Sequence, residues 1–407
     1  MTRVGFRSFL LTCAILGVSW IASADVITEW NERAVQSTIA AKQYPFVGTR
    51  TLAIVHTAMY DAVNSIEGRY APYKVKVPAP AGASAEAAAV AAAHAVLVQL
   101  CPDQSADLDS AYAVSLEKIP GGIGKTAGIA IGEKVAAQTL ALRSSDGANA
   151  PNTYRSITTA GVYITTTLPI GTQWGSVTPW LMEHGSQFRP EPPPKLTSAK
   201  WDRDCKEVME IGGKKSTVRT AEQTNIARFW AITGPASWDP IVRQLADFPS
   251  RRLVENARLF ALVEMAAADA YIAVFDAKYT FNFWRPITAI RNGDLGGNAA
   301  MRIPDWEPLI DTPLHPEYPC AHCITSAATG TVLQAEFGRG TVPPLIMSSA
   351  ASPGVVRKWT SIKNWMDEVS AARIYGGIHY RNSMDVGQAM GRRIGELAVQ
   401  NYLRPVQ

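Results

Sequence analysis

The chain has 407 residues, 47% of them hydrophobic and 18% charged, with 26 prolines and 30 glycines. That composition excludes a disordered chain, a collagen-like fibre and a small disulfide-dense fold, and the length is ample for one large helical domain or two to three ordinary ones. The formal net charge of +4 is small and forms no basic stripe, which argues against nucleic-acid or membrane-surface binding.

In chain order, the first 24 residues stand apart. Arg3 and Arg7 precede an apolar stretch over 9–22, and Ala22-Ser23-Ala24 precedes Asp25. This is the order of a secretory signal peptide, with cleavage expected after Ala24. The apolar run is shorter than the ~20 residues needed to span a bilayer, so the mature chain is expected to be secreted or periplasmic and not membrane-spanning. Cys13 leaves with this leader, and Cys101, Cys205, Cys320 and Cys323 remain where disulfides can persist. Spacing favours no pairing strongly, although Cys320 and Cys323 are close enough to interact.

The remaining pattern is helical. Apolar residues recur at three- and four-residue steps over 49–66 and 84–100, and further helices are expected over 105–118, 126–142, 198–210, 220–232, 253–277, 324–336, 357–372 and 386–402. Strand-like alternation is scarce, and the Thr-rich patch over 153–167 reads as an irregular crossing. Pro190-Glu191-Pro192-Pro193-Pro194 must be extended and is the best boundary. The architecture expected is all-α: an N-terminal bundle over 25–184, a proline-rich crossing over 185–197 and a C-terminal bundle over 198–407.

Polar groups that are rare in a core gather in the second half. Lys278 and Arg285 flank an aromatic run, Glu317-Tyr318-Pro319-Cys320-Ala321-His322 leads into a helical pattern, and Arg373 precedes His379 by six positions. Singly, each has a bland reading: a cation at a helix end, a stacked guanidinium, a structural histidine, or Arg373 paired with Glu368. Together, Lys278, Arg285 and Arg373 would place three positive charges in one partly dry pocket, which requires an anion. Arginines fork onto oxyanion oxygens, and a helix start after Pro319 would add backbone N–H groups. His379 could then attack phosphorus while His322 protonates the leaving oxygen.

Lys278-x6-Arg285-Pro286, Pro319-Cys320-Ala321-His322 and Arg373-x5-His379 resemble the three-part signature shared by vanadium-dependent haloperoxidases and type 2 phosphatidic-acid phosphatases. The segments at 50–56 and 222–230 are more similar to the soluble haloperoxidase branch. The resemblance implies two helical bundles, with Lys278, Arg285, Cys320, Ala321 and Arg373 binding the oxygens of vanadate or phosphate. It makes His379 the vanadium ligand or the phosphorylated nucleophile, and His322 the acid-base group. The substrates implied are hydrogen peroxide and halide with vanadate as cofactor, or a phosphate ester with none; a non-catalytic oxyanion-binding protein is the third reading.

The chain departs from the family pattern at Cys320 and Ala321, where serine and glycine are usual, and at Ala372. It also has Ser383 where an acid commonly follows the last histidine, which leaves the group orienting His379 open between Ser383 and Asp385. Two further readings of Cys320-Ala321-His322-Cys323 are a thiol-disulfide exchange site and, with His315, a zinc site.

Overall fold

The computed structural model describes residues 25–248, 250–295 and 299–406; the expected leader and Cys13 lie outside them. The described chain is all-α apart from one hairpin. The first half contributes α1 (Val26–Ala40), α2 (Pro45–Glu67), α3 (Ala85–Leu100), α4 (Ser105–Glu117) and α5 (Ile123–Arg143). The second half contributes α6 (Ala199–Gly212), α7 (Ala221–Phe229), α8 (Asp239–Ala246), α9 (Leu253–Phe281), α10 (Pro286–Arg291), α11 (Ala321–Phe337), α12 (Ile362–Tyr375) and α13 (Arg381–Asn401). Among the described residues no single helix is long and apolar enough to cross a membrane.

Local chemistry sets many of the helix ends. Asp25 caps α1 by accepting the N–H groups of Ile27 and Thr28 at 3.0 Å, Thr220 and Gln223 form a reciprocal capping box on α7, and Pro45 opens α2. Between α5 and α6 the chain runs without an α-helix, and part of its backbone is satisfied from α9. Buried Asp269 accepts the amides of Trp180, Leu181 and Met182, each at 2.8 Å.

Helix α9 is the axis of the molecule. Of its 29 residues 22 are buried, because one side packs on α2 and another on α11 and α13, so it is largely apolar all round instead of amphipathic. One continuous core runs from Trp30 and Leu52 through Phe260 and Val263 to Ile324 and Ile394. The backbones of α11 and α13 cross closely: a Cβ on Gly391 would stand 2.2 Å from the Ile324 carbonyl oxygen. This crossing fixes where α11 begins, and with it the site.

Three sequence expectations are corrected. The helix expected over 357–372 begins only at Ile362, because Leu345–Ser349 (β1) and Ser352–Trp359 (β2) form an antiparallel hairpin. The helix expected to end at 277 continues through Lys278 to Phe281, where Asn282 takes a left-handed conformation (φ 48°) and ends it. The helix expected over 220–232 stops at Phe229, which leaves the carbonyls of Trp230 and Ile232 free to meet the site.

Helices α8 and α9 also bury an unusual pair of carboxyl groups in the core. Asp239 and Glu264 are both fully buried, and Glu264 Oε1 accepts the Trp238 indole N–H at 2.9 Å. Burial raises Asp239 to about 6, while burial and then the neighbouring Asp239 hold Glu264 well above the carboxylate range. The unfolded chain releases both protons near pH 4, so the pair's stabilising contribution is complete below about pH 4 and is lost as pH rises through 6 and beyond. Glu264→Gln keeps the acceptor for Trp238 and is expected to flatten the fall in Tm between about pH 5 and 8. Parallel Tm profiles for the two proteins would contradict this assignment.

Candidate active site

The site lies where the end of α9, the start of α11 and the turn between α12 and α13 converge. Lys278 sits in the last turn of α9, Arg285 is the N-cap of α10, Ala321 and His322 open α11, and Arg373 is in the last turn of α12. The turn that delivers His379 depends on Gly377. Its φ is 78°, and a Cβ there would lie 2.3 Å from the Gly212 carbonyl oxygen, so no other residue fits.

A cavity of about 200 Å³ is lined by His315, Ala321, His322, Arg373 and His379, with Phe46, Tyr271, Phe275 and Leu314 as its apolar wall. Of the residues read from the sequence, Ala321, His322, Arg373 and His379 therefore meet in one space. Lys278 and Arg285 lie immediately behind it.

The three cations are all buried and are held differently. Lys278 Nζ donates to the carbonyls of Pro316, Glu317 and Pro319 at 2.8, 2.7 and 2.5 Å. An ammonium has three donors, so here the lysine clamps the loop before α11 and contributes charge instead of a free hydrogen. Arg285 donates from Nε to the His315 carbonyl and from Nη1 to the Ile378 carbonyl, both at 2.9 Å, and Nη1 lies 3.3 Å from His379 Nε2. Arg373 donates from Nη1 to the Trp230 carbonyl at 2.6 Å, while its buried Nε finds no acceptor. Glu368, which the bland reading of Arg373 would pair with it, instead holds Arg357 at 2.6 Å.

The group that orients His379 is neither Ser383 nor Asp385. Glu317 Oε1 lies 2.7 Å from His379 Nδ1 and also accepts the Tyr380 amide at 3.1 Å. Arg285 Nη1 can only donate, so His379 Nε2 is the accepting, unprotonated nitrogen and the imidazole proton sits on Nδ1, facing Glu317. Burial, and then Arg285 and Lys278, push the His379 pKa well down, which keeps the ring neutral. Burial pushes Glu317 up to about 7 against the pull of Lys278 and Arg285. The sequence names Glu317 without signalling its role, because its partner is 62 positions away.

His322 Nε2 donates to the Ile232 carbonyl at 2.9 Å, so Nδ1 is its unprotonated nitrogen; burial and then Arg373 lower its pKa well below the usual value. At the head of α11 the amides of Ala321 and His322 have no partner within the helix. Cys320 does not line the cavity. Its Sγ caps α11 by accepting the Cys323 amide at 3.3 Å, and no group of three or more metal-ligating side chains exists among the described residues, which removes the zinc reading. His315, considered in the sequence only as a zinc ligand, is a third imidazole on the cavity wall, with Nδ1 3.0 Å from Arg285 Nη2.

Residues 258–407, which carry Lys278, Arg285, Glu317, His322, Arg373 and His379, match the family model described as the VCPO second helical-bundle domain. Over nearly its whole length the chain is also similar to a bacterial vanadium-dependent iodoperoxidase, with 26% identity, a TM-score of 0.80 and coverage of 94% of this chain and 97% of that one. These two likenesses support the vanadium haloperoxidase superfamily for this chain. A stretch of 188 residues is 28% identical to vanadium chloroperoxidase of Curvularia inaequalis, spanning 38% of this chain and 30% of that protein. The fold is shared with a holo-type bacterial vanadium-dependent chloroperoxidase, at 17% identity, a TM-score of 0.73 and coverage of 90% and 94%. The aromatic and apolar wall around Arg373 and His379 encloses a small cavity, behind which the buried side chains of Lys278, Arg285 and Arg373 face one buried carboxyl group, that of Glu317.

Proposed function

We propose that the chain is an exported vanadium-dependent haloperoxidase that oxidises halide with hydrogen peroxide, using a vanadate ligated by His379. The observation that carries this reading is the orphaned, buried Nε of Arg373 in the same cavity as the neutral His379 ring. A buried donor without an acceptor, among three cations and one carboxylate, costs stability unless an oxyanion completes the site. The residues present therefore fit vanadate. Arg373 and the first amides of α11 would donate to its oxygens, Lys278 and Arg285 would balance its charge, and His379 Nε2 would be the ligand. Bound vanadate would supply the Lewis acidity that activates peroxide towards halide.

Around that group the chain's own residues have definite tasks. Glu317 holds His379 in the tautomer whose Nε2 can ligate. His322 Nδ1, kept unprotonated, takes the proton from entering peroxide and returns it to the departing oxygen. Phe46, Tyr271 and Phe275 exclude water, which strengthens each charge contact. The export reading rests on the charged, apolar and small-residue order of residues 1–24.

The second reading, a phosphomonoesterase with His379 Nε2 as nucleophile, draws on the carboxylate-imidazole pair, an arrangement that also activates nucleophiles. Cavity size favours the first. About 200 Å³ suits peroxide and halide and is below the roughly 300–1,000 Å³ of pockets that enclose larger organic ligands. The two are separated by assaying purified protein for bromide- and iodide-dependent oxidation of a phenol with peroxide, with and without vanadate, and for aryl phosphate hydrolysis. Vanadate-dependent halide oxidation is expected. Phosphate hydrolysis inhibited by vanadate, without halide oxidation, would overturn the haloperoxidase reading in favour of the esterase.

A further inference from the structure

None of the steps above uses the two cysteines that open α11. Cys320 is the N-cap, and a residue capping in this way directs its side chain at the third position of the helix. Here that position is Cys323. Cys323 donates its thiol to Cys320 with the sulfurs 2.6 Å apart, within about 0.6 Å of the S–S bonding distance. The helix end is also held in place. A Cβ on Gly387 of α13 would stand 2.8 Å from the Cys320 carbonyl oxygen and 3.1 Å from Cys323 Cβ, so the two cysteines are clamped against a neighbouring backbone.

The surroundings distinguish this pair from the other cysteines. Burial pushes Cys101 up to about 11 and Cys205 up to about 12, and neither has a second thiol beside it. Burial opposes ionisation of Cys320 as well, but the hydrogen bond from Cys323, the nearby Arg373 and the Cys323 amide outweigh it and lower its pKa. Ala321, the residue next to Cys320, lines the cavity.

We infer that Cys320 and Cys323 form a peroxide-reactive dithiol that closes to an intramolecular disulfide beside the oxyanion cavity. The oxidant, hydrogen peroxide, is taken from the haloperoxidase reading, whereas the test does not depend on it. Cys320 sulfur attacks one peroxide oxygen, the O–O bond breaks, and water leaves as a sulfenic acid forms. Cys323 sulfur then displaces the hydroxyl as a second water. Two thiols and one peroxide give one disulfide and two waters, with two electrons passing from sulfur to oxygen. Pairing halts oxidation at the reversible disulfide, short of the irreversible sulfinic and sulfonic acids that an isolated thiol beside a peroxide-using site would reach.

The test uses the full-length protein, reduced, freed of reductant, and exposed to millimolar hydrogen peroxide without vanadate or halide. After denaturing alkylation, the tryptic peptide Ile303–Arg339, which contains both cysteines, is expected to become lighter by two hydrogens. Its thiols should be lost about tenfold or more faster than those of Cys101 and Cys205. In Cys323→Ser, Cys320 should instead gain oxygen and react with a sulfenic-acid trap. Both thiols remaining alkylatable in the wild type, or oxygen added there without disulfide, would overturn the inference. Halide oxidation measured on the same preparation separates the two proposals: disulfide without halide oxidation removes the haloperoxidase reading alone, and halide oxidation with persistently free thiols removes the dithiol alone.

Discussion

Arg373→Ala is expected to weaken binding of inorganic phosphate or vanadate by about 10–100-fold, the effect of losing hydrogen bonds to a charged group worth roughly 1.5–3 kcal/mol. The size of the loss follows from geometry. Arg373 spends one donor on the Trp230 carbonyl and keeps a buried Nε with no acceptor, whereas Lys278 has no free donor and Arg285 is committed to the His315 and Ile378 carbonyls. Arg373 is therefore the cation with most to offer an incoming oxyanion. Arg373→Lys should recover part of the charge term and little of the forked contact. Equilibrium dialysis with phosphate, alongside a thermal melt to confirm that loss of the Trp230 contact has not unfolded the protein, measures this. Unchanged affinity in a folded Arg373→Ala protein would remove the residue from the site.

Glu317→Gln is the second large effect, an expected loss of about 10–100-fold in vanadate affinity or in turnover. Glutamine can still accept from the Tyr380 amide and from His379 Nδ1, so the shape of the turn survives while the negative charge opposite the imidazole disappears. His379 Nε2 becomes a poorer donor to vanadium, or a weaker nucleophile under the esterase reading. Because Glu317 acts through His379, the pH profile of activity should shift with the rate. A structural role alone would lower Tm without moving the profile. Kinetics equal to wild type at every pH would show that the carboxylate does not tune the imidazole.

Much of the site is legible in the sequence, for a physical reason. Lys278, Arg285, Arg373 and His379 are residue types that cores exclude unless a partner or ligand compensates, so their recurrence among apolar and aromatic neighbours is informative. What the sequence hides is long-range. Glu317 stands in plain view within the motif-bearing loop, but its bond to His379 exists only because α11 and the α12–α13 turn are brought together by the glycine-lined crossing of α11 on α13. The hairpin of β1 and β2 is missed because the helix expected over 357–372 takes in Arg357, Lys358 and Trp359, which close β2. Pro353 and Gly354, the latter at φ 81°, carried the opposite signal. The extension of α9 past residue 277 runs through Tyr279, Thr280 and Phe281, whose modest helix propensity is overridden by tertiary packing. That extra turn carries Lys278 into reach of the loop it clamps.

The central claim is that His379 and the buried cations hold a tetrahedral oxyanion. It is tested most directly by titrating phosphate-free, full-length protein with orthovanadate and following binding by equilibrium dialysis, in the wild type and in His379→Ala. The account predicts saturable binding of one vanadate per chain, displaced by phosphate, with the affinity falling sharply in the variant. Absence of saturable binding in the wild type, or equal binding by both proteins, would contradict it.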